Sequence, residues 1–442
     1  MKKKLIQILF LLVCVLFFVL PSSAETNSYI DVTNPGGGNK IPLAAPTFSS
    51  GKSSSTEGSI AIEGTDILKK ALDFTRLFAI VDPSTYLWNP STDDVTGAKM
   101  NYQNWVTVGA ELLVTGEVKV SWRGQMELDM RLFDVFKGQV VLFKQYKGSP
   151  SELRNMVHQF CAEIIYYLTG NYGVFGSKIA FISPSRGNVR HIYVADFDGS
   201  NPKAVISNGA INLTPAWCSD GKRLAYTSFV EGGADLYVQD LSGKRQKIAS
   251  YSGVNINPAW VPGKSELAIS CSFTGSSEIY LLTAEGKIIK RITNSWGINT
   301  SPTFSPDGSQ LAFVSDRGGS PQIYVCDING GNVRRVSFSG RYSTQPAWSP
   351  KGDKIAYTTG AGSVIDIYVV DVQTGALMKL TEGSGKNENP AWSPDGSLIA
   401  FSSTRSGGIP KIYTMTLFGM DQQILLDMPG TQPAWSPRFL PK

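Results

Sequence analysis

From Lys178 to the end of the chain, short apolar runs alternate with turns rich in Gly, Pro, Asp and Asn, and the alternation is periodic. Thr214-Pro215-Ala216-Trp217, Asn257-Pro258-Ala259-Trp260, Ser301-Pro302-Thr303-Phe304, Gln345-Pro346-Ala347-Trp348, Asn389-Pro390-Ala391-Trp392 and Gln432-Pro433-Ala434-Trp435 place their prolines 43 or 44 residues apart. A repeat of about 40–45 residues built from short alternating strands is the signature of four-stranded propeller blades. In the third copy Pro302-Thr303-Phe304 reads as a strand, Ser305-Pro306-Asp307-Gly308 as a turn and Gln310 to Val314 as the returning strand. Proline presets the turn angle and glycine takes the positive φ. Gln322 to Asp327 and Asn332 to Val336 supply a third and a fourth strand.

A second motif half, Leu/Ile-Ala at Ala180, Ala225, Ala268, Ala312, Ala356 and Ala400, also occurs six times. Its first copy has no Pro-Ala-Trp before it, and the last Pro433-Ala434-Trp435 has no Leu-Ala strand after it. The two orphan halves complete each other, so the C-terminal strand is expected to join the first blade and close a six-bladed ring without an open edge.

Ahead of the repeats the pattern changes. Ile41 to Phe48 reads as a strand, and Thr65 to Phe78 as a helix with Ile67, Ala71, Phe74 and Phe78 on one face; a short strand starts at Ala79. Leu112 to Val120, Met126 to Val135 and Val140 to Tyr146 form an antiparallel meander with period-two alternation at Leu128, Met130 and Leu132. Ser149-Pro150-Ser151-Glu152 opens a final helix as a capping box, and Gly170 ends it. The fold class is therefore multidomain: a small α/β domain over residues 25–170, followed by an all-β six-bladed propeller over residues 171–442. Lys2-Lys3-Lys4, an apolar run from Leu5 to Leu20 and Ser22-Ser23-Ala24 have the layout of a secretory signal over residues 1–24. Cys14 lies too early in that run, with no small residue before it, for a lipoprotein. Residues 25–40 hold one apolar patch at Tyr29, Ile30 and Val32 before Gly36-Gly37-Gly38. They read as a mobile arm able to dock, with an ordinary leading strand as the alternative.

Composition adds little about ligands. The formal charge is +5, or +2 once the three leader lysines are gone, so no nucleic-acid footprint is expected. Cys161, Cys218, Cys271 and Cys326 lie on different elements without C-x-x-C spacing, which points to buried free thiols, not to zinc or a disulfide framework. Catalytic chemistry is nearly missing. His158 and His191 are the only histidines and neither has a motif partner, and no G-x-S-x-G elbow occurs. Gly51-Lys52-Ser53 and Gly385-Lys386-Asn387 lack the earlier glycine of a phosphate loop. Asp220-Gly221, Asp307-Gly308 and Asp395-Gly396 sit where hairpin turns demand them, which disfavours a calcium reading. No catalytic residue, metal or cofactor is expected.

The repeat aromatics Trp217, Trp260, Phe304, Trp348, Trp392 and Trp435 are expected to fill the gaps between blades. What remains for binding is the tripeptide before each proline: Asn212-Leu213-Thr214, Asn255-Ile256-Asn257, Asn299-Thr300-Ser301, Ser343-Thr344-Gln345, Asn387-Glu388-Asn389 and Gly430-Thr431-Gln432. Read as loops, these ring one opening of the channel. Asparagine serving a turn is the alternative. The loops between second and third strands share that rim and carry Arg186, Arg317 and Arg405, with Glu231 in one of them, so the face is expected to suit a partner bearing carboxylates.

The Ser-Pro-Asp-Gly blades, the leader, the preceding α/β domain and the junction Leu168-Thr169-Gly170-Asn171-Tyr172-Gly173-Val174-Phe175-Gly176-Ser177-Lys178-Ile179-Ala180-Phe181 together resemble the TolB family, periplasmic propeller proteins of the bacterial Tol-Pal system. The resemblance covers essentially the whole chain after the leader. It implies a periplasmic monomer, peripheral to the outer membrane, that binds the lipoprotein Pal at the propeller rim and TolA through the N-terminal segment, with a role in envelope integrity during division. Carried onto this sequence, the Pal face comprises Val254, Asn257, Asn299, Thr300, Ser301, Thr344, Gln345, Glu388, Arg186, Arg317 and Arg405. The arm comprises Tyr29, Ile30, Asp31 and Val32 within Glu25 to Asn34. Two departures stand out: the arm matches only around Tyr29-Ile30-Asp31, and one blade has Val261-Pro262-Gly263-Lys264 for Ser-Pro-Asp-Gly. An exported propeller enzyme acting on oligosaccharides or peptides is the competing class, and it would need inward histidines or a metal at the channel.

Overall fold

The computed structural model describes residues 40–50, 55–89 and 93–439. The leader, the arm residues Tyr29, Ile30, Asp31 and Val32, Cys14 and the Gly51-Lys52-Ser53 run lie outside the described residues. The N-terminal part carries strands β1 (Ile41–Ala44), β2 (Ser49–Ser50), β3 (Phe78–Ile80), β4 (Leu112–Val120), β5 (Met126–Asp134) and β6 (Gln139–Gly148), with helices α1 (Ser55–Phe74), α2 (Tyr102–Thr107) and α3 (Leu153–Thr169). The strands form one sheet in the order β3-β1-β4-β5-β6, with β2 beside β4. Leu128, Met130 and Leu132 of β5 are fully buried in one core with Leu68 and Leu72 of α1 and Val157 and Phe160 of α3. The period-two alternation thus marks the helix-covered face of the sheet.

Two boundaries differ from the sequence pattern. The first strand ends at Ala44, because Pro46 has no N–H to donate and Phe48 instead gives its N–H to Thr65 Oγ1 at 2.9 Å. Helix α1 starts ten residues before Thr65, and Phe78 belongs to β3. Gly58 and Gly64 disguise that first half, since glycine disfavours helices. Gly64 is nevertheless where Phe48 crosses closely, and a Cβ there would stand 3.1 Å from its ring. The capping box holds: Ser149 donates its N–H to the Glu152 carboxylate at 2.7 Å, Pro150–Glu152 forms a 3-10 turn, and Gly170 ends α3 at φ 74°.

Six four-stranded antiparallel sheets follow. Blade 1 is Lys178–Pro184, Arg190–Asp196 and Lys203–Ile206 with Thr431–Trp435 as its inner strand. Ala434 pairs with Ala180 and Trp435 with Ile179, so the orphan halves do meet and the ring closes. Blade 2 spans residues 212–249, blade 3 255–291, blade 4 299–335, blade 5 342–379 and blade 6 387–429. The repeat aromatics are buried between blades, as expected. Trp217 donates its indole N–H to Ala434 O, Trp260 to Ala216 O and Trp392 to Ala347 O, each stapling a blade to the one before it. The fourth strand of blade 4 is shorter than the pattern suggested, Arg334–Arg335 only.

The two parts share a core. Phe74 of α1 and His158 of α3 stack edge-on against Phe197 of blade 1 at 5.4 and 5.0 Å, and Arg154 pairs with Asp198. At the chain's end Arg438 lies over the Tyr172 ring at 4.5 Å, so the tail clamps the junction between the parts.

Candidate functional site

The tripeptides before the prolines are not loops; apart from Gly430, they form the first half of each inner strand. Asn299–Phe304, for example, is one continuous strand whose register shifts between Thr300 and Thr303. The residue just before each proline carries that bulge at positive φ: Thr214, Asn257, Ser301, Gln345, Asn389 and Gln432 lie between 49° and 57°. Such angles are uncommon for residues other than glycine, and for the β-branched Thr214 they are an outlier. A propeller forces them, because the bulge tips six strands inward to the axis while proline ends hydrogen bonding toward the channel. Together with Thr344, the six side chains and their prolines line a cavity of about 400 Å³ at one end of the channel.

The ring is internally tied. Asn257 donates from Nδ2 to Thr300 Oγ1 and Ser301 Oγ, each at 3.0 Å, bridging blades 3 and 4. Gln345 Oε1 accepts the Asn389 N–H at 3.0 Å, and Gln432 Oε1 accepts the Thr214 N–H at 2.7 Å. Of the candidate residues, Asn257, Ser301, Thr344 and Gln345 therefore share the cavity wall, with Thr300 hydrogen-bonded to it. Glu388 is half-buried beside Asn389, Val254 is exposed in the loop entering blade 3, and Arg186 is exposed in blade 1.

Asn299, Arg317 and Arg405 are placed otherwise. Asn299 is fully buried, donating to Glu278 Oε2 at 3.1 Å and accepting from Arg317 Nη2 at 2.9 Å. Arg317 also reaches Ser315 Oγ at 2.9 Å and lies over the Phe313 and Tyr324 rings. Arg405 repeats the arrangement with Asn387 Oδ1 at 2.8 Å, Ser403 Oγ at 2.9 Å and the rings of Phe401 and Tyr413. Burial pushes the Arg405 guanidinium below its ordinary value. Both guanidinium groups are thus engaged inside the protein, each holding the second strand of its blade to the inner one.

Sequence reasoning missed the partners of this network. Glu278 accepts from Thr293, Asn299 and Arg291, and Asp366 accepts from Thr381, Asn387 and Lys379. Both acids are at most 2% exposed. A signal was present, since Asp235, Glu278, Gln322 and Asp366 recur at the blade period, as do Thr293, Ser337 and Thr381. Asp307 sits in a turn, where the Ser305 and Ser309 hydroxyls hold its carboxyl down at about 2. His158 sits on α3, where burial brings its imidazole down to about 4, whereas His191 lies in blade 1 with a buried, unpartnered Nδ1.

The far end of the channel differs in chemistry. It opens into a cavity of about 600 Å³ walled by the repeat aromatics and prolines, and no ionisable side chain lines it. The four cysteines of the described residues are free and buried.

Two family models match the chain in sequence order: the TolB amino-terminal domain over residues 28–141 and the TolB beta propeller domain over residues 166–439. A Tol-Pal system protein TolB from Desulfosudis oleivorans is 47% identical over 297 residues, 67% of this chain and 66% of the relative. A protein TolB homolog from Chlorobium chlorochromatii is 40% identical over 243 residues, 54% of this chain and 53% of the relative. The aligned stretch thus spans between half and two thirds of these curated relatives. A crystal structure of TolB from Acinetobacter baumannii superposes with a TM-score of 0.79 at 28% identity, covering 91% of this chain and 98% of that one.

Proposed function

The chain belongs to the TolB family, and from that membership we propose that it is a periplasmic, non-enzymatic component of a Tol-Pal system. Two contacts are proposed: Pal at the channel mouth and TolA through residues 25–34. In this reading a single copy works as an adaptor that is peripheral to the outer membrane and supports envelope integrity and cell division. The observation that carries the reading is the presence of both family regions in one chain, in order. The channel mouth supports the first contact: a ring of strained, polar residues open to solvent is where backbone strain collects at functional sites.

The test is calorimetry of residues 25–442 against the soluble domains of Pal and TolA. Thr300→Ala with Ser301→Ala is expected to weaken Pal binding by about 2 kcal/mol or more if the mouth is the hot spot. Removing residues 25–34 is expected to abolish TolA binding while Pal still binds. Unchanged Pal affinity in the double variant would move that site elsewhere, and unchanged TolA affinity without the arm would end its assigned role.

A further inference from the structure

The six loops that lead from one blade into the next inner strand are not equivalent. Those at residues 207–211, 250–254 and 382–386 carry no exposed aromatic residue, and the passage between blades 6 and 1 is the single Gly430. The two loops flanking blade 4 differ. Trp296 is 93% exposed with Ile298 beside it at 52%, and Phe338 is 74% exposed. The adjoining fourth strands are Ile288–Arg291 and Arg334–Arg335, which contain four basic residues and no acid.

The outer strands are tied to the next blade at the end away from these loops. Lys290 reaches from blade 3 to Asn329 Oδ1 of blade 4 at 2.6 Å, and Arg334 reaches from blade 4 to Val372 O of blade 5 at 3.1 Å. Arg335 stacks over Phe338 at 5.0 Å, and Arg341 is exposed just beyond it. Exposed apolar residues continue along the outer strands at Ile289 and Val333. Of the four outer-strand charges only Arg291 is offset by a buried acid, and Glu285 is exposed in the turn before Ile288. Glu278 is fully buried and paired with Arg291, and half-buried Asp316 accepts the Ile298 N–H at 2.7 Å.

Basic residues on an outer strand have an ordinary reason, since they guard a free sheet edge against pairing. Bare aromatic side chains beside them work against that protection and need another cause. An indole that stands free of any pocket, with a second exposed ring under a guanidinium on the next inter-blade loop, has the composition of side chains that settle at a bilayer's headgroup layer. We propose that this outer corner of blades 3 to 5 docks on an anionic phospholipid surface. Trp296, Ile298 and Phe338 enter the headgroup layer, while Arg335 and Arg341 lie against phosphates. The surface shares its rim with the proposed partner face, since Ile298 bonds Asp316 beside Arg317, and its test uses lipid alone.

The test is flotation of residues 25–442 with vesicles of phosphatidylcholine alone or with about a third phosphatidylglycerol. Binding is expected only to the anionic vesicles and is expected to vanish in high salt, as screening requires. Arg335→Gln with Arg341→Gln is expected to lower the partition coefficient about 25-fold, about fivefold for each charge. Trp296→Ala with Phe338→Ala is expected to lower it at least about tenfold. Brominated lipid should quench the protein's fluorescence, and Trp296→Phe should remove most of that quenching. Trp296, Phe338 and Arg341 are exposed and Arg335 is half-buried, and unchanged melting of each variant confirms that it folds. Absence of flotation with anionic vesicles would overturn the proposal, as would flotation that the double variants leave intact. Loss of a protein partner by Trp296→Ala without any vesicle binding would assign the patch to a protein.

Discussion

Closure of the ring by the last strand can be broken by ending the chain at Gly430. The lost segment joins residues some 250 positions apart: Thr431 pairs with Ile182, Ala434 with Ala180 and Trp435 with Ile179. Trp435 is 9% exposed, its side chain sits in the core shared by both parts of the chain, and its indole N–H donates to Ser177 Oγ at 2.8 Å. Emptying a buried tryptophan site removes about 3–5 kcal/mol. Ser436 and Lys178 exchange two further bonds at 2.8 Å, Ser436 N–H to Lys178 O and Lys178 N–H to Ser436 Oγ, worth about 1 kcal/mol each. Blade 1 is also left with a bare edge. The total, about 5–7 kcal/mol, rivals the whole stability of an ordinary domain. Differential scanning calorimetry and urea titration followed by circular dichroism should show the cooperative propeller transition lost or shifted down by tens of degrees. Trp435→Phe, which keeps most of the ring but not the donor to Ser177, should instead cost about 1–2 kcal/mol. A truncated chain that melts in the same single transition as the full one would refute the closure argument.

His158 is held neutral by burial beside Arg154, with Asp198 and Asp196 opposing, and its imidazole lies near 4 against 6.5 when exposed. The unfolded chain therefore takes up a proton that the folded one refuses, and stability should fall by about 3 kcal/mol as pH drops from 6.5 to 4; urea midpoints of His158→Phe should be flatter over that window. Arg405→Ala removes the bonds to Asn387 and Ser403 and should lower stability by about 2 kcal/mol in urea. A stable variant with weakened Pal binding would return Arg405 to the partner face. Burial pushes all four thiols up, Cys271 to about 12 and Cys326 to about 11, so iodoacetamide should modify none of them before unfolding and all of them after. Phe304 has no indole N–H, and Trp348 donates to Gly352 O in its own blade, so blade 4 lacks a staple on both sides. Its amides should exchange faster than those of blade 2, and equal protection would sink that inference.

The propeller was legible because its determinants are local and repeated. Proline and glycine each satisfy a backbone demand within a few residues, tryptophan meets the same partner position one blade away, and six copies make the period unmistakable. The N-terminal helix was half hidden for the opposite reason. Gly58 and Gly64 look like breakers, and Gly64 is explained only by Phe48, sixteen positions earlier, which needs the space that glycine leaves. A constraint set by a distant partner leaves no mark on the pattern around the residue that obeys it.

The same logic divides the rim. Arginine in a loop reads as a free charge because the rings and carboxamide that claim it lie up to 18 residues away, as Asn299 does from Arg317. Conversely Trp296 hid among aromatics that a repeat protein uses by default for its core, and only its 93% exposure separates it from the buried indoles. A sixfold repeat makes its own interior predictable, so information about partners concentrates where the repeat is broken. Blade 4 breaks it three times: Phe304 replaces tryptophan, Gln322 replaces the buried acid, and its two flanking loops carry the exposed aromatics. Losing the indole staples leaves this blade with fewer bonds to its neighbours, while Gln322 keeps its buried position satisfied by accepting the Ser337 hydroxyl. The departures that need an explanation beyond folding are therefore the exposed aromatics of its two flanking loops.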